Sequence, residues 1–165
     1  MPRHAETRHL AWSQSQMFDL VADIGRYDEF LPWVQAMRIR ERQANVVTAD
    51  MVVGFKMVRE RFTSRVTLDR PHRVHVDYIS GPLKYLKNDW VFRPTADSTV
   101  LAGGCEIDFS VDFEFNNRVF ERLAGMFFHE AFKRMVTAFE ARAAAVYGAP
   151  DMASGISSSS ATSAA

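Results

Sequence analysis

The stretch from Asn116 to Tyr147 constrains this chain more than any other. At helical period, Phe120, Ala124, Phe127, Phe128, Ala131, Met135, Ala138 and Phe139 share one face, and Arg122, His129, Lys133 and Glu140 share the opposite one. One long amphipathic helix is expected. Asn116 or Asn117 is placed to cap it, Glu121 suits its first turns, and Gly148 and Pro150 end it. The apolar face spans about half the circumference, wider than the stripe one neighbouring helix needs, so it must cover a broader surface. The preceding residues supply one. Ile107, Phe109, Val111, Phe113 and Phe115 alternate with Asp108, Ser110, Asp112 and Glu114, the pattern of a strand with one wet face.

The remaining chain reads mainly as strands. Arg3 to Leu10 alternates loosely, and Ser13 with Gln16 forms a capping-box pair that starts a short helix over Gln14 to Asp23, with Phe18 and Val21 inward. Gly25 ends that helix, and a second short helix or turn follows at Arg26 to Phe30. Six strands are then expected: Val34 to Arg42, Val46 to Lys56, Val58 to Asp69, Arg73 to Ser80, Lys84 to Arg93 and Thr99 to Phe115. The breaks hold turn residues such as Ala44-Asn45, Gly54, Arg70-Pro71 and Gly81-Pro82, and connections this short require antiparallel neighbours.

The inner rows follow from the alternation. They contain Val47, Ala49, Met51, Val53, Phe55 and Met57 on one strand, Val58, Phe62, Val66 and Leu68 on the next, and Leu86, Trp90 and Phe92 on a third. Arg59, Arg61, Thr63, Arg65 and Thr67 are expected to face water. Glu60, Ser64 and Asn88 interrupt the inner rows, so each either lines a cavity or lies beyond the helix's cover.

The expected fold is therefore α+β: about seven antiparallel strands wrapped around a long C-terminal helix, with two short helices after the first strand. Residues 1–148 form one domain, and 149–165 is a disordered Ser/Ala-rich tail. A twisted sheet of that width exceeds what one helix about 10 Å across can fill, so a hollow between them is expected. Thirteen Phe, three Trp and eight Met are available to line it.

Several residue runs carry a family resemblance. Val21-Ala22-Asp23-Ile24 with Tyr27, Phe30-Leu31-Pro32-Trp33, Phe62-Thr63-Ser64-Arg65-Val66, Gly81-Pro82-Leu83, Leu86, Trp90-Val91-Phe92 and Ile107-Asp108-Phe109 together resemble the coenzyme-Q-binding branch of the START-domain, polyketide-cyclase-like superfamily. The resemblance covers Arg3 to Tyr147. It implies a helix-grip fold around a lipid-sized tunnel that binds ubiquinone or its biosynthetic intermediates, as a carrier supporting respiratory electron transfer with no chemistry of its own. Bacterial members of this superfamily include proteins labelled ribosome association toxins.

On this reading the ligand-lining residues are Trp33, Phe55, Phe62, Trp90, Phe92, Phe109, Phe127, Phe128 and Met135, with Asn88 as a polar contact. Leu83, Tyr85 and Leu86, between Lys84 and Lys87, form a portal that dips into a membrane surface. Ubiquinone is the bound ligand, and no cofactor or metal is required. Lys plus Arg and Asp plus Glu balance at 20 each, which gives no global charge to argue for DNA, although Arg38, Arg40, Arg59, Arg61 and Arg65 could gather on the outer sheet face and meet ribosomal phosphates. Chemistry on a polyketide-type substrate would fall to Glu60 with Ser64, since the five histidines do not assemble into an acid–base pair. One cysteine excludes an internal disulfide. With no apolar run near the roughly 20 residues that cross a bilayer, the expected location is the cytoplasm or the periphery of the inner membrane.

Overall fold

The computed structural model describes residues 3–55, 57–95 and 104–148. Strand β1 (Arg3–Leu10) leads into helix α1 (Gln14–Ala22) and a short 3-10 helix (Ile24–Glu29). Strands β2 (Val34–Gln43), β3 (Val46–Phe55), β4 (Val58–Asp69), β5 (Arg73–Ser80), β6 (Leu83–Pro94) and β7 (Cys105–Phe115) follow, then helices α2 (Arg118–Lys133) and α3 (Met135–Tyr147). The strands form one seven-stranded sheet in the order β1-β7-β6-β5-β4-β3-β2, every pair antiparallel. Chain neighbours pair throughout except that β1 closes against β7.

The local signals act as their chemistry dictates. Ser13 Oγ accepts from the Gln16 amide at 3.1 Å while Gln16 Oε1 accepts from the Ser13 amide at 2.9 Å, so the capping box fixes the entry to α1. Asn117 Oδ1 accepts from the amides of Val119 and Phe120 and starts α2. Along β7, Cys105, Ile107, Phe109, Val111, Phe113 and Phe115 are all buried and the residues between them half-exposed, the expected period-2 row.

Several expectations are corrected. The long helix divides at Arg134, which both ends α2 and begins α3, with no proline or glycine at the joint. The Arg134 amide still bonds the Glu130 carbonyl at 3.1 Å and the Ala138 amide the Arg134 carbonyl at 2.9 Å, so hydrogen bonding continues across the joint. Phe55 pairs with Val58, which puts Met57 in the turn at 98% exposure instead of in the inner row. Thr63 sits on the outer face yet is buried, because it donates to the buried Asp50 carboxylate at 2.7 Å and Arg40 closes over that group at 3.3 Å. Described β7 begins at Cys105; the expected start at Thr99 and the tail 149–165 lie outside the described residues. No helix among the described residues is long and apolar enough to cross a membrane.

The core divides into two zones along the helices. Under α3, Phe139 meets Trp90, Tyr27 and Phe30 edge-on, and Trp90 lies 4.6 Å from Phe109 between ring centroids. That end is further tied by Tyr147 Oη donating to the Gln16 carbonyl, Trp12 Nε1 to the Gly148 carbonyl, and Arg142 to Glu29. Under α2 the contacts to the sheet are between rings: Phe128 with Phe62 and Phe115, and Phe132 with Phe113.

Candidate ligand-binding site

Between α2 and strands β3 to β6 lies an apolar cavity of about 90 Å3. Trp33, Phe62, Phe127, Phe128 and Met135 line it, as does Leu86 from the expected portal. The other expected lining residues stand elsewhere. Trp90, Phe92 and Phe109 are buried in the solid zone beneath α1 and α3, where Phe92 meets Phe18 edge-on and Trp90 is sandwiched by Phe109 and Phe139. Sequence alternation put these rings on the correct face of the sheet but carried no information on which helix would fill against them. The side chain of Phe55 lies outside the described part of the structure.

The cavity is also far smaller than the lipid-sized tunnel expected. Interlocked rings from helix and sheet take up the space, with Phe62 and Phe128 centroids 5.7 Å apart. An apolar cavity of about 150 Å3 accepts a benzene, so a substituted quinone ring needs Phe127 or Met135 to swing aside. Methionine, with three rotatable bonds, is suited to that.

Three of the lining residues carry hydroxyls: Tyr27, Ser64 and Tyr78. The Tyr27 hydroxyl donates to the Val21 carbonyl, and burial, reinforced by Asp23, pushes its pKa well above the ordinary tyrosine value. The Tyr78 oxygen accepts from the Leu83 amide at 2.9 Å, which leaves its own proton to donate. Burial raises the Tyr78 pKa, the Leu83 amide opposes that, and the Glu60 charge adds to the rise, so the proton stays in place at neutral pH. Ser64 was foreseen as a polar break in the inner row and does reach the cavity; Tyr78 was not singled out, and its signal was the turn sequence Gly81-Pro82 that folds the chain back onto its hydroxyl. Asn88 instead donates to the Ser110 carbonyl at 2.9 Å. Glu60 is half-buried and is not among the lining residues.

The expected portal is also redistributed. Leu83 is buried at 3% exposure and stands opposite Phe115, so it cannot dip into a membrane. Tyr85 donates to Asp112 at 3.1 Å. A hollow of about 430 Å3 does lie there, lined by Leu83, Tyr85 and Leu86 and sharing Tyr78 and Leu86 with the cavity, and a larger groove of about 910 Å3 opens between α2, the start of α3 and the Pro32-Trp33 segment. Trp33, Phe127 and Ala131 line both groove and cavity, so they are the wall between the two.

No imidazole or carboxylate lines the cavity among the described residues. His75 faces outward in an ionic cluster with Asp77, Asp89 and Arg73, and no group of three or more metal-ligating side chains occurs among the described residues. Arg38, Arg40, Arg59, Arg61 and Arg65 are all exposed, on the outer side of β2 and β4, with Arg40 engaged by Asp50.

Comparison with known proteins agrees with this architecture. The profile of the family described as polyketide cyclase / dehydrase and lipid transport matches residues 10–140. A Xenopus laevis protein named coenzyme Q-binding protein COQ10 homolog B, mitochondrial, is 35% identical over 146 residues, covering 88% of this chain and 59% of that protein. The ribosome association toxin RatA of Escherichia coli K12 is 34% identical over 149 residues, covering 90% of this chain and 91% of that protein. Among solved structures, the ZhuI aromatase/cyclase of Streptomyces sp. R1128 superposes with a TM-score of 0.68 at 15% identity, covering 86% of this chain and 93% of that one, a likeness of fold.

Proposed function

Because this chain belongs to the polyketide cyclase/dehydrase and lipid transport family, we propose that it binds ubiquinone or a related isoprenoid lipid between helix and sheet. It acts there as a carrier or chaperone that supports respiratory electron transfer and performs no chemistry of its own. The observation that carries this reading is the apolar cavity, with Ser64 and Tyr78 among its lining residues, joined through the Trp33 and Phe127 wall to a long groove. A quinone has two carbonyl acceptors on a flat apolar ring, which hydroxyl donors in a greasy pocket complement. The isoprenoid tail has no polar group to satisfy, and the groove's volume is in the range of about 300–1,000 Å3 typical of ligand sites. Tail burial at about 25 cal/mol per Å2 then supplies affinity without further polar contacts. The described lining of the inner cavity holds no carboxylate or imidazole, Glu130 lining the outer groove alone, and this favours carriage over cyclisation, for which general acid–base groups within hydrogen-bond reach of the substrate are needed.

The test is direct. The purified protein is extracted with organic solvent and the extract analysed by mass spectrometry, and short-chain ubiquinone is titrated into delipidated protein while tryptophan emission is followed. A quinone or prenyl lipid in the extract together with saturable quenching supports the reading; absence of both overturns it.

The exposed arginines of β2 and β4 favour a second reading, association with the ribosome through phosphate contacts on the outer face of the sheet. Salt-sensitive cosedimentation with large ribosomal subunits, lost on changing Arg59, Arg61 and Arg65 together, is its expected signature. Absence of cosedimentation at low salt removes it.

A further inference from the structure

Helix α2 carries apolar side chains on its solvent side as well as on its core side. Val119 is 64% exposed, Leu123 67% and Met126 81%. Their spacing of four and then three residues puts them in one row along the helix. At the tip of the β3–β4 hairpin Met57 adds a further apolar side chain at 98% exposure, three residues beyond Gly54, which faces α2 across the groove. Isolated exposed apolar residues are ordinary, but a row of them on one helix beside the mouth of an apolar groove marks an interaction surface.

A second row runs beside the first. Arg118, Arg122 and Lys133 are all exposed and form a cationic edge along α2, roughly 22 Å at 1.5 Å per residue, with His129 between them, its ring 5.6 Å from that of Phe113. The acids of the helix offset this edge only in part: Glu130 is engaged by Arg134 at 3.7 Å, and Glu121 neighbours Arg118 in the first turn alone. An apolar row flanked lengthwise by cations is the arrangement of a helix lying in the plane of an anionic bilayer, with its apolar side chains among the acyl chains and its cations at the phosphates.

From these rows we propose that α2, with the hairpin tip at Met57, docks on an anionic membrane surface and that lipid enters from there, through the groove, past Trp33 and Phe127. The docking surface itself follows from the two rows; only the entry of lipid rests on the carrier reading above. Leu123 and Met126 line the groove as well as belonging to the exposed row, so docking brings the groove mouth against the acyl chains. The path from bilayer to cavity then needs no crossing of water by an isoprenoid chain.

Flotation with vesicles of phosphatidylcholine, with and without phosphatidylglycerol and free of quinone, tests this. The wild-type protein is expected to float with the phosphatidylglycerol vesicles, less so as salt rises, and weakly with phosphatidylcholine alone. The double change Leu123→Glu and Met126→Glu is expected to weaken partitioning at least about tenfold, with thermal unfolding unchanged because both side chains are exposed. Met57→Glu, off the helix, is expected to act in the same direction, and Arg118→Gln with Arg122→Gln to remove the preference for phosphatidylglycerol. Partitioning of the double variant equal to wild type, or no binding of wild type to either vesicle, overturns the proposal. So does concentration-dependent dimerisation that disappears in the double variant without vesicle binding, since the row would then bury against a second copy. Quenching by soluble short-chain ubiquinone, measured without vesicles on the wild type and on Met57→Glu, which is not a groove-lining residue, reports the carrier reading separately.

Discussion

Trp33 and Phe127 face each other as the wall between the inner cavity and the outer groove, each lining both. Trp33 comes from the Pro32-Trp33 segment before β2 and Phe127 from the middle of α2, so the passage between them depends on how α2 sits on the sheet. The α3 end is tied by hydrogen bonds and an ion pair to α1 and the 3-10 helix, while α2 meets the sheet through ring contacts, so the two helices are held by different kinds of interaction.

Trp33 should therefore carry the optical signal of ligand binding. Trp12 donates to the Gly148 carbonyl at the far end of the helix and Trp90 is enclosed by Phe109 and Phe139, so neither lines the site. Trp33→Phe is expected to remove most of the quenching by short-chain ubiquinone while leaving the dissociation constant, measured by equilibrium dialysis, within about threefold of wild type. Quenching that survives this change would move the ligand to another part of the core.

The two hydroxyls should act on affinity, Ser64 with little effect on folding and Tyr78 with an added stability loss of about 1–3 kcal/mol, because its oxygen accepts from the buried Leu83 amide. Ser64→Val and Tyr78→Phe each remove one hydrogen bond to a carbonyl acceptor, a loss of about 0.5–1.5 kcal/mol, or roughly 2- to 10-fold in affinity. Isoprenoid alcohols, which lack the quinone carbonyls, should be bound by the variants and the wild type alike. Equal losses for both ligand types would show that the substitutions disturb packing instead.

Gly81 holds the Tyr78 hydroxyl in place. Its φ of +148° and the positions where a Cβ would fall, 2.8 Å from Tyr78 Oη and 2.9 Å from the Arg61 carbonyl oxygen, leave no room for a side chain. Gly81→Ala is expected to destabilise the fold by about 1–3 kcal/mol in urea unfolding. It should also weaken quinone binding as Tyr78→Phe does, because the hydroxyl must move.

Cys105 gives stability a dependence on alkaline pH. Fully buried in β7, its thiol is pushed up to about 12 by loss of hydration. The unfolded chain releases that proton at about 8.5. Between those values the unfolded state binds fewer protons than the folded one, so stability falls as pH rises above about 8.5. Unfolding midpoints should decline from about pH 8 to about pH 10, and Cys105→Ala should reduce that decline. In the native protein a maleimide should react with Cys105 only at the rate of unfolding.

The elements of the fold were legible from local patterns. Strand alternation in Cys105–Phe115, the Ser13–Gln16 box, the Asn117 cap and the turn residues between strands depend on residues within a few positions of one another, and the structure realises each. Short hairpin connections made the antiparallel order from β2 to β6 legible for the same reason. The split of the helix at Arg134 had no proline or glycine to announce it.

The sequence by itself determined which side chains face the sheet interior, because a strand's two-residue period and a helix's 3.6-residue period are set by the backbone. It also placed Ser64 in an inner row, where it meets the cavity. Only the tertiary structure decided which of those inward residues enclose space. Trp90, Phe92 and Phe109 face the same side of the sheet as Phe62, yet Phe18 of α1 and Phe139 of α3 fill against that group while α2 leaves a gap beside Phe62. The same holds for the exposed row on α2: Val119, Leu123 and Met126 are apolar in sequence, and it is the seat of the helix on the sheet that leaves them facing water. Burial is a property of where two elements meet, and that depends on contacts between residues far apart in the chain, which no local period encodes.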